Sequence, residues 1–172
     1  TTTQPTAPEA PSYPGIEADL ARADQYFDEG EYERAIQAAT SAYETASEVG
    51  SAMYQGRALA TRADCHLAVF RGYEALEDAT AALSKATEAD DAETALRMLV
   101  LMPQVSDEGT ISREAEAWLG QAKSIIARDE NQLPKHIALL ALLEGALLLR
   151  EARPNEGLAV VGQALEQLDG TG

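Results

Sequence analysis

From Ile16 onward, apolar side chains recur at steps of three and four residues, in stretches broken by short polar or Gly-containing segments. That is the helical period, not the alternation of a half-buried strand. The pattern predicts eight helices. The first covers 16–29, with Ile16, Leu20, Ala23 and Phe27 on one stripe, and stops at Gly30, a residue suited to the left-handed end of a helix. The second, 32–49, carries Tyr32, Ala35, Ile36, Ala39, Ala42, Tyr43 and Ala46 and stops at Gly50. Ser51 can cap a third helix over 52–70 (Leu59, Ala63, Leu67, Phe70), closed by Gly72. A fourth runs over 73–88 through Leu76, Ala79 and Leu83. Asp90 with Glu93 has capping-box spacing and places the start of a fifth helix, which Pro103 should break or kink. After a loop over 105–109, Ile111, Ala115, Trp118, Leu119, Ala122, Ile125 and Ile126 form the stripe of a sixth helix. Pro134 and Pro154 open a seventh over 134–151 and an eighth over 154–168, because a first-turn proline gives up no hydrogen bond. The seventh is apolar nearly all round and is expected to be sandwiched between neighbours.

The breaks are short enough to force consecutive helices antiparallel, giving four helix–turn–helix units in an all-α domain over 16–168. The units echo one another. Ala35-Ile36, Ala75-Leu76 and Gly157-Leu158 each open the inward stripe of a second helix, followed seven residues on by Ala42-Tyr43, Ala82-Leu83 and Ala164-Leu165. Ala35 and Ala75 are 40 residues apart, and Ala75 and Gly157 are 82 apart, room for two more units with Ala115 at the intermediate place.

In the first unit, Gly30-x-Tyr32-x-x-Ala35-Ile36-x-x-Ala39-x-x-Ala42 resembles the turn and second helix of the tetratricopeptide repeat (TPR). Ala23 and Tyr26 fall where the first helix of that repeat carries a small residue and an aromatic, and Gly145 and Leu148 hold the same places ahead of Arg153-Pro154. The match is close in the first unit, fair in the second and fourth, and poor in the third, where Pro103 intrudes and Glu116 replaces an apolar residue. A unit longer than the usual 34 or so residues is similar to the variants of bacterial regulators and scaffold proteins. The resemblance implies a right-handed superhelical stack of about four TPR-like antiparallel hairpins, eight helices in all, with a concave docking face lined by the first helix of each pair. It places Glu17, Leu20, Asp24 and Phe27 on that face, joined by Arg57, Ala60, Thr61 and Asp64 of the third helix. Repeats that grip a partner's C-terminal carboxylate do so with Lys and Asn, whereas Leu20, Asp24 and Thr61 stand at the corresponding places here. Asp24 and Asp64 instead suit a basic or amide-rich segment, with Arg57 the one candidate for bidentate contact to a carboxylate.

Composition changes the picture in three ways. First, 29 acidic against 13 basic residues give a formal net charge of -16, which opposes nucleic acid and anionic membranes and favours solubility, a high-salt habitat or a basic partner. Second, residues 1–15 hold Pro5, Pro8, Pro11 and Pro14 among Thr, Ala and Ser, a flexible tail or linker that cannot build a core. Such a stretch resembles spacers that tether envelope proteins, so a bacterial cell envelope or periplasmic placement is the first expectation and a cytoplasmic one the alternative. Residues 169–172 form a short C-terminal tail. Third, the longest apolar run, Ile137 to Leu143, falls well short of the roughly 20 residues that span a bilayer.

No constellation for chemistry emerges. Cys65 is the single cysteine, which excludes an internal disulfide framework and reads as a small core residue. Its neighbour His66 points about 100° away on a helix, so the two make no thiol–base pair. His66 and His136, the two histidines, lie on different helices without metal-ligand spacing. Carboxylate pairs such as Asp90-Asp91 and Glu114-Glu116 read as helix starts or solvated faces, no Gly-rich phosphate loop or GxSxG occurs, and Trp118 belongs to the core. The expectation is therefore a non-enzymatic adaptor without cofactor or metal that binds a protein or peptide. The alternatives are a ligand-responsive sensor domain of a larger bacterial regulator, marked by a buried cavity near Pro103, and a self-assembly scaffold pairing through Leu158, Val161, Leu165 and Leu168 of the last helix.

Overall fold

The computed structural model describes residues 12–128 and 134–169, apart from a few side chains, and among them the chain forms α-helices and no strand. The helices are α1 (Pro14–Asp28), α2 (Tyr32–Glu48), α3 (Ala52–Ala68), α4 (Gly72–Glu88), α5 (Ala92–Val105), α6 (Glu108–Arg128), α7 (Pro134–Arg150) and α8 (Pro154–Asp169). Consecutive helices pack against each other in an all-α stack of four hairpins. The first helices also touch in series, α1 on α3, α3 on α5 and α5 on α7, while among the described residues no second helix meets another second helix. Odd-numbered helices therefore form the tighter, inner layer, and the stack bends around it.

Helix spacing is set by very small side chains. Ala35, Ala39, Ala42 and Ala46 on α2 are fully buried, and Ala75, Ala79, Ala82 and Ala86 repeat that stripe on α4 at a shift of 40 residues. A stripe without bulk brings helix axes to the near limit of packing distance. Gly56 shows how near: a Cβ there would lie 3.2 Å from the Ala86 backbone nitrogen on α4.

The turns repeat as faithfully as the stripes. Gly30, Gly50, Phe70, Asp90 and Ala152 all have positive φ, and each turn carries the same pair of backbone hydrogen bonds. At the first, Gly30 N–H donates to Phe27 O and Glu31 N–H to Tyr26 O, the Schellman arrangement that closes a helix. The first four left-handed positions are 20 residues apart, a clock for the first two units.

Several boundaries differ from expectation for reasons the turns explain. Gly72 does not end α3. Phe70 takes the left-handed position, and Gly72 is already the first residue of α4. Asp90 is likewise the left-handed residue of its turn, and the cap of α5 is Asp91, whose side chain accepts from Thr94 N–H at 3.2 Å. Ser51 stands at the N-cap of α3 but makes no side-chain capping bond. Pro14 and Gly15, assigned above to the tail, form the first turn of α1, while residues 1–11 lie outside the described set. Pro103 does not break α5 on the spot; the helix runs on to Val105. The turn to α6 then has no left-handed residue, and Asp107 accepts from Thr110 N–H at 2.8 Å instead.

The third unit is the loose one. Pro103 occupies the place of Ala63 one unit earlier and of Ala23 two units earlier, and on α6 the places of Ala79 and Ala86 hold Leu119 and Ile126. The bulkier side chains hold α6 off, so it packs thinly on α5 and α7, and α5 packs more closely on α7 than the other first helices do on each other. In unit two a part-buried ion pair joins α3 to α4: Arg62 donates twice to Asp78, at 2.7 and 2.6 Å, and His66 Nε2 lies 3.6 Å from the same carboxylate. Forty residues on, the pair is replaced by the core residues Met102 and Trp118. α7 is also less enclosed than its composition promised, with Leu142 and Leu149 exposed.

Two stability tests follow. Asp78→Ala leaves the part-buried Arg62 guanidinium without its carboxylate and should lower unfolding free energy by about 2 kcal/mol, with Arg62→Met/Asp78→Leu recovering most of it. Urea melts check this, and a double variant as weak as the single would show that Met and Leu cannot replace the pair. Phe70→Gly should raise stability by about 1 kcal/mol, because a non-glycine left-handed residue is strained and this ring, 95% exposed, gives up no burial; a loss in the same melt would refute it.

Candidate functional site

The inner layer holds a depression of about 320 Å³ where α1, α3 and α5 meet. Leu20 and Asp24 line it from α1, Arg57 and Thr61 from α3, and Glu93, Thr94 and Arg97 from α5, with Asp91 at the α5 cap. Four of the eight residues expected on the concave face thus come together. Of the others, Asp64 stands at the edge, gripped by Arg97 at 2.6 Å, and Glu17 is drawn aside to accept from Tyr54 and Ser12. Two leave the groove. Ala60, about 60° round the helix from Arg57, is fully buried between helices, and Phe27 packs edge-on against Tyr32 at 5.4 Å near the α1–α2 turn.

The charges of this groove are largely spent on each other. Arg57 Nε donates to Asp91 Oδ2 at 2.9 Å, and Arg97 Nη2 to Asp64. Arg57 is thus a strut between α3 and α5 and not the unengaged guanidinium the sequence suggested. Glu93 is paired with Lys135 of α7. Asp24 alone among the groove carboxylates has no ion pair among the described residues. Burial raises its pKa, Arg97 works against that, and the neighbouring Asp28 and Asp64 reinforce it. Asp64 is also raised by burial, in spite of Arg97. Asp91 goes the other way: burial opposes ionisation, but the hydrogen bonds from Arg57 and Thr94 win and hold its pKa down.

A larger opening lies near Pro103, where the sensor alternative expects a buried cavity. Where α6 stands off α7, a cleft of about 540 Å³ is floored by Ile111, Ala115 and Leu147 and edged by Arg113, Glu116, Arg150 and Glu151. A further 270 Å³ continues it over Leu119 and Leu148. Arg150 Nη2 reaches the Pro103 carbonyl at 3.5 Å, so this space does adjoin Pro103, yet its exposed charged edge makes it an open cleft rather than a sealed cavity. The signal in the sequence was the Leu119 and Ile126 replacements in the alanine stripe.

Cys65 is buried and its thiol is pushed up to about 12, by burial first and by Asp64 and Asp24 next, so it is not a nucleophile near neutrality. Among the described residues no three His, Cys, Asp or Glu side chains gather as a metal site, and no helix is long and apolar enough to cross a membrane. Comparisons of the chain with protein-family models, with curated proteins and with solved structures each return no match.

The carboxylate of Asp24 gives a pH test with a defined sign. Its folded pKa lies above the unfolded value of 3.8, so its contribution favours folding below that value and is lost as pH rises through the folded pKa. Asp24→Asn should therefore be slightly more stable than the parent at pH 7, by no more than about 2 °C in Tm because the group is solvent-screened. The advantage should shrink on acidification towards 3.8. Thermal melts that show it growing instead would contradict the placement of this carboxylate.

Proposed function

We propose that this chain is a TPR-like, non-enzymatic interaction module that holds an extended protein or peptide segment along the groove of α1, α3 and α5, and that the segment is basic or amide-rich. The observation that carries the proposal is the charge arrangement: Arg57 and Arg97 are each paired within the chain, whereas Asp24, exposed at the groove, makes no ion pair among the described residues. Leu20 beside it offers an apolar contact, so a Lys or Arg next to an aliphatic residue is the fitting ligand pair. The excess of acidic residues adds a long-range pull on such a segment, and a tether through the Thr/Pro stretch to a bacterial cell envelope fits the same role.

A second reading is favoured by the cleft between α6 and α7, whose 540 Å³ falls in the size range of small-molecule sites. A ligand there would draw α6 onto α7 and act as a sensor's switch.

Fluorescence anisotropy with labelled peptides of about ten residues separates the two. Peptides carrying paired Lys or Arg should bind, their Glu-substituted versions should not, and Asp24→Lys should weaken binding roughly tenfold or more, the worth of one charge-assisted hydrogen bond. Equal binding of acidic and basic peptides, or an unchanged affinity in the variant, rejects the groove. Affinity lost through Leu147→Trp in the cleft, with Asp24→Lys silent, would move the site to α6 and α7.

A further inference from the structure

The two ends of the stack are finished differently. At the first end, Asp19 occupies the place that Leu59 and Leu99 fill one and two units later, where they are buried. Asp19 accepts from Ser41 Oγ at 2.8 Å and pairs with Arg22, so the outer face of α1 and α2 is polar. Repeat arrays need such a cap at each end to stay soluble.

The other end has none. The left-handed residues Phe70 and Ala152 align unit two with unit four at a shift of 82 residues. Under that shift Leu142, Leu149, Leu158 and Leu165 correspond to Ala60, Leu67, Leu76 and Leu83. All four unit-two residues lie in the main core or pack directly on it, beneath unit three. Their unit-four counterparts are 43%, 54%, 67% and 56% exposed. α7 and α8 therefore present the face that receives a following hairpin, with nothing in the described chain upon it. Of the residues outside the described set, Leu133 alone is large and apolar, one side chain for a four-leucine face. Leu168, expected on the same stripe, has its side chain outside the described residues.

We propose that a second copy of this chain covers this face, α7 and α8 packing on α7 and α8 of the partner about a two-fold axis. Like meets like because the opposite end is polar, which excludes head-to-tail addition. Charge permits the approach: residues 134–169 carry three basic against five acidic residues, a net of -2 out of -16 for the chain. Two helices of this length form a face about 24 Å by about 20 Å, near 500 Å² per copy and below the roughly 800 Å² of a standard interface, so the dimer is weak, with Kd on the order of 10 µM. It joins two peptide grooves in one particle without touching either.

Sedimentation equilibrium of the 1–172 chain from about 1 to 500 µM tests this. The expected mass rises from 18.3 kDa to twice that value and is unmoved by raising salt, since the contact is apolar. Leu158→Glu/Leu165→Glu should stay monomeric throughout while keeping its helical circular dichroism. Should that variant unfold, Leu158→Gln serves in its place with a dissociation constant raised at least tenfold. A parent chain that is monomeric over the whole range, a mass growing past the dimer, or a folded Glu variant that pairs like the parent each overturns the proposal.

Discussion

Close helix approach through alanine is the constraint on which this molecule rests. A stripe of Ala35, Ala39, Ala42 and Ala46 gives little apolar area per residue, so stability comes from bringing whole helix surfaces into contact rather than from interlocking large side chains. That works only if each turn delivers the next helix at the same distance and angle. The left-handed residue every 20 positions does so, and Phe70 and Asp90 accept a strained backbone to keep the spacing where Gly30 and Gly50 need not. Turn and stripe are one design: lengthening a turn by a residue would rotate an alanine stripe out of register and replace it with polar surface.

The third unit shows what happens when the constraint is relaxed. Leu119 and Ile126 on the α6 stripe cannot approach as alanine does, and α6 moves outward until Ile111, Trp118, Ala122 and Ile125 become its buried face. Pro103, fully buried at the site of Ala23 and Ala63, lies inside α5 two residues before its end and lacks the N–H that would bond to the Leu99 carbonyl. The opening between α6 and α7 therefore follows from three residues. The same substitution logic explains why the polar pair Arg62–Asp78 becomes Met102 and Trp118: with α6 farther out, a short ion pair has no span to bridge, whereas an indole fills the wider gap.

Much of this was legible in the sequence because helical period and small-residue spacing are local properties. The ranges of α2, α4, α7 and α8 were read to within a residue or two, and the interval from Ala35 to Ala75 gave the true repeat. What was misread depends on backbone conformation or on distant partners. Gly72 looked like the helix stop because glycine is the usual left-handed residue, yet the turn takes Phe70. Asp90 looked like the cap because it precedes Glu93 by three, yet the left-handed position consumes it and passes the role to Asp91. Leu20, Asp24, Arg57 and Thr61, grouped by register, do line one depression, but the α5 side of that groove was invisible because Pro103 had blurred the register. Arg57 could not be matched to Asp91, 34 residues away, without coordinates.

The last unit returns to the opening constraint with a different solution. α7 and α8 cross at Gly145 and Gly157, where a Cβ on Gly145 would come within 2.6 Å of the Val161 side chain and one on Gly157 within 3.0 Å of the Gly145 carbonyl. Glycine on glycine is a closer approach than alanine allows, and it falls in a hairpin that, among the described residues, has a neighbour on one side only. An interior hairpin is held by two flanking units; this one must draw more from its own two helices. The tight crossing spends the small residues on the inner contact and leaves Leu142, Leu149, Leu158 and Leu165 on the outer one. Exposed leucine at the end of an alanine-built stack is thus not an accident of composition but the remainder of the rule that built the units before it.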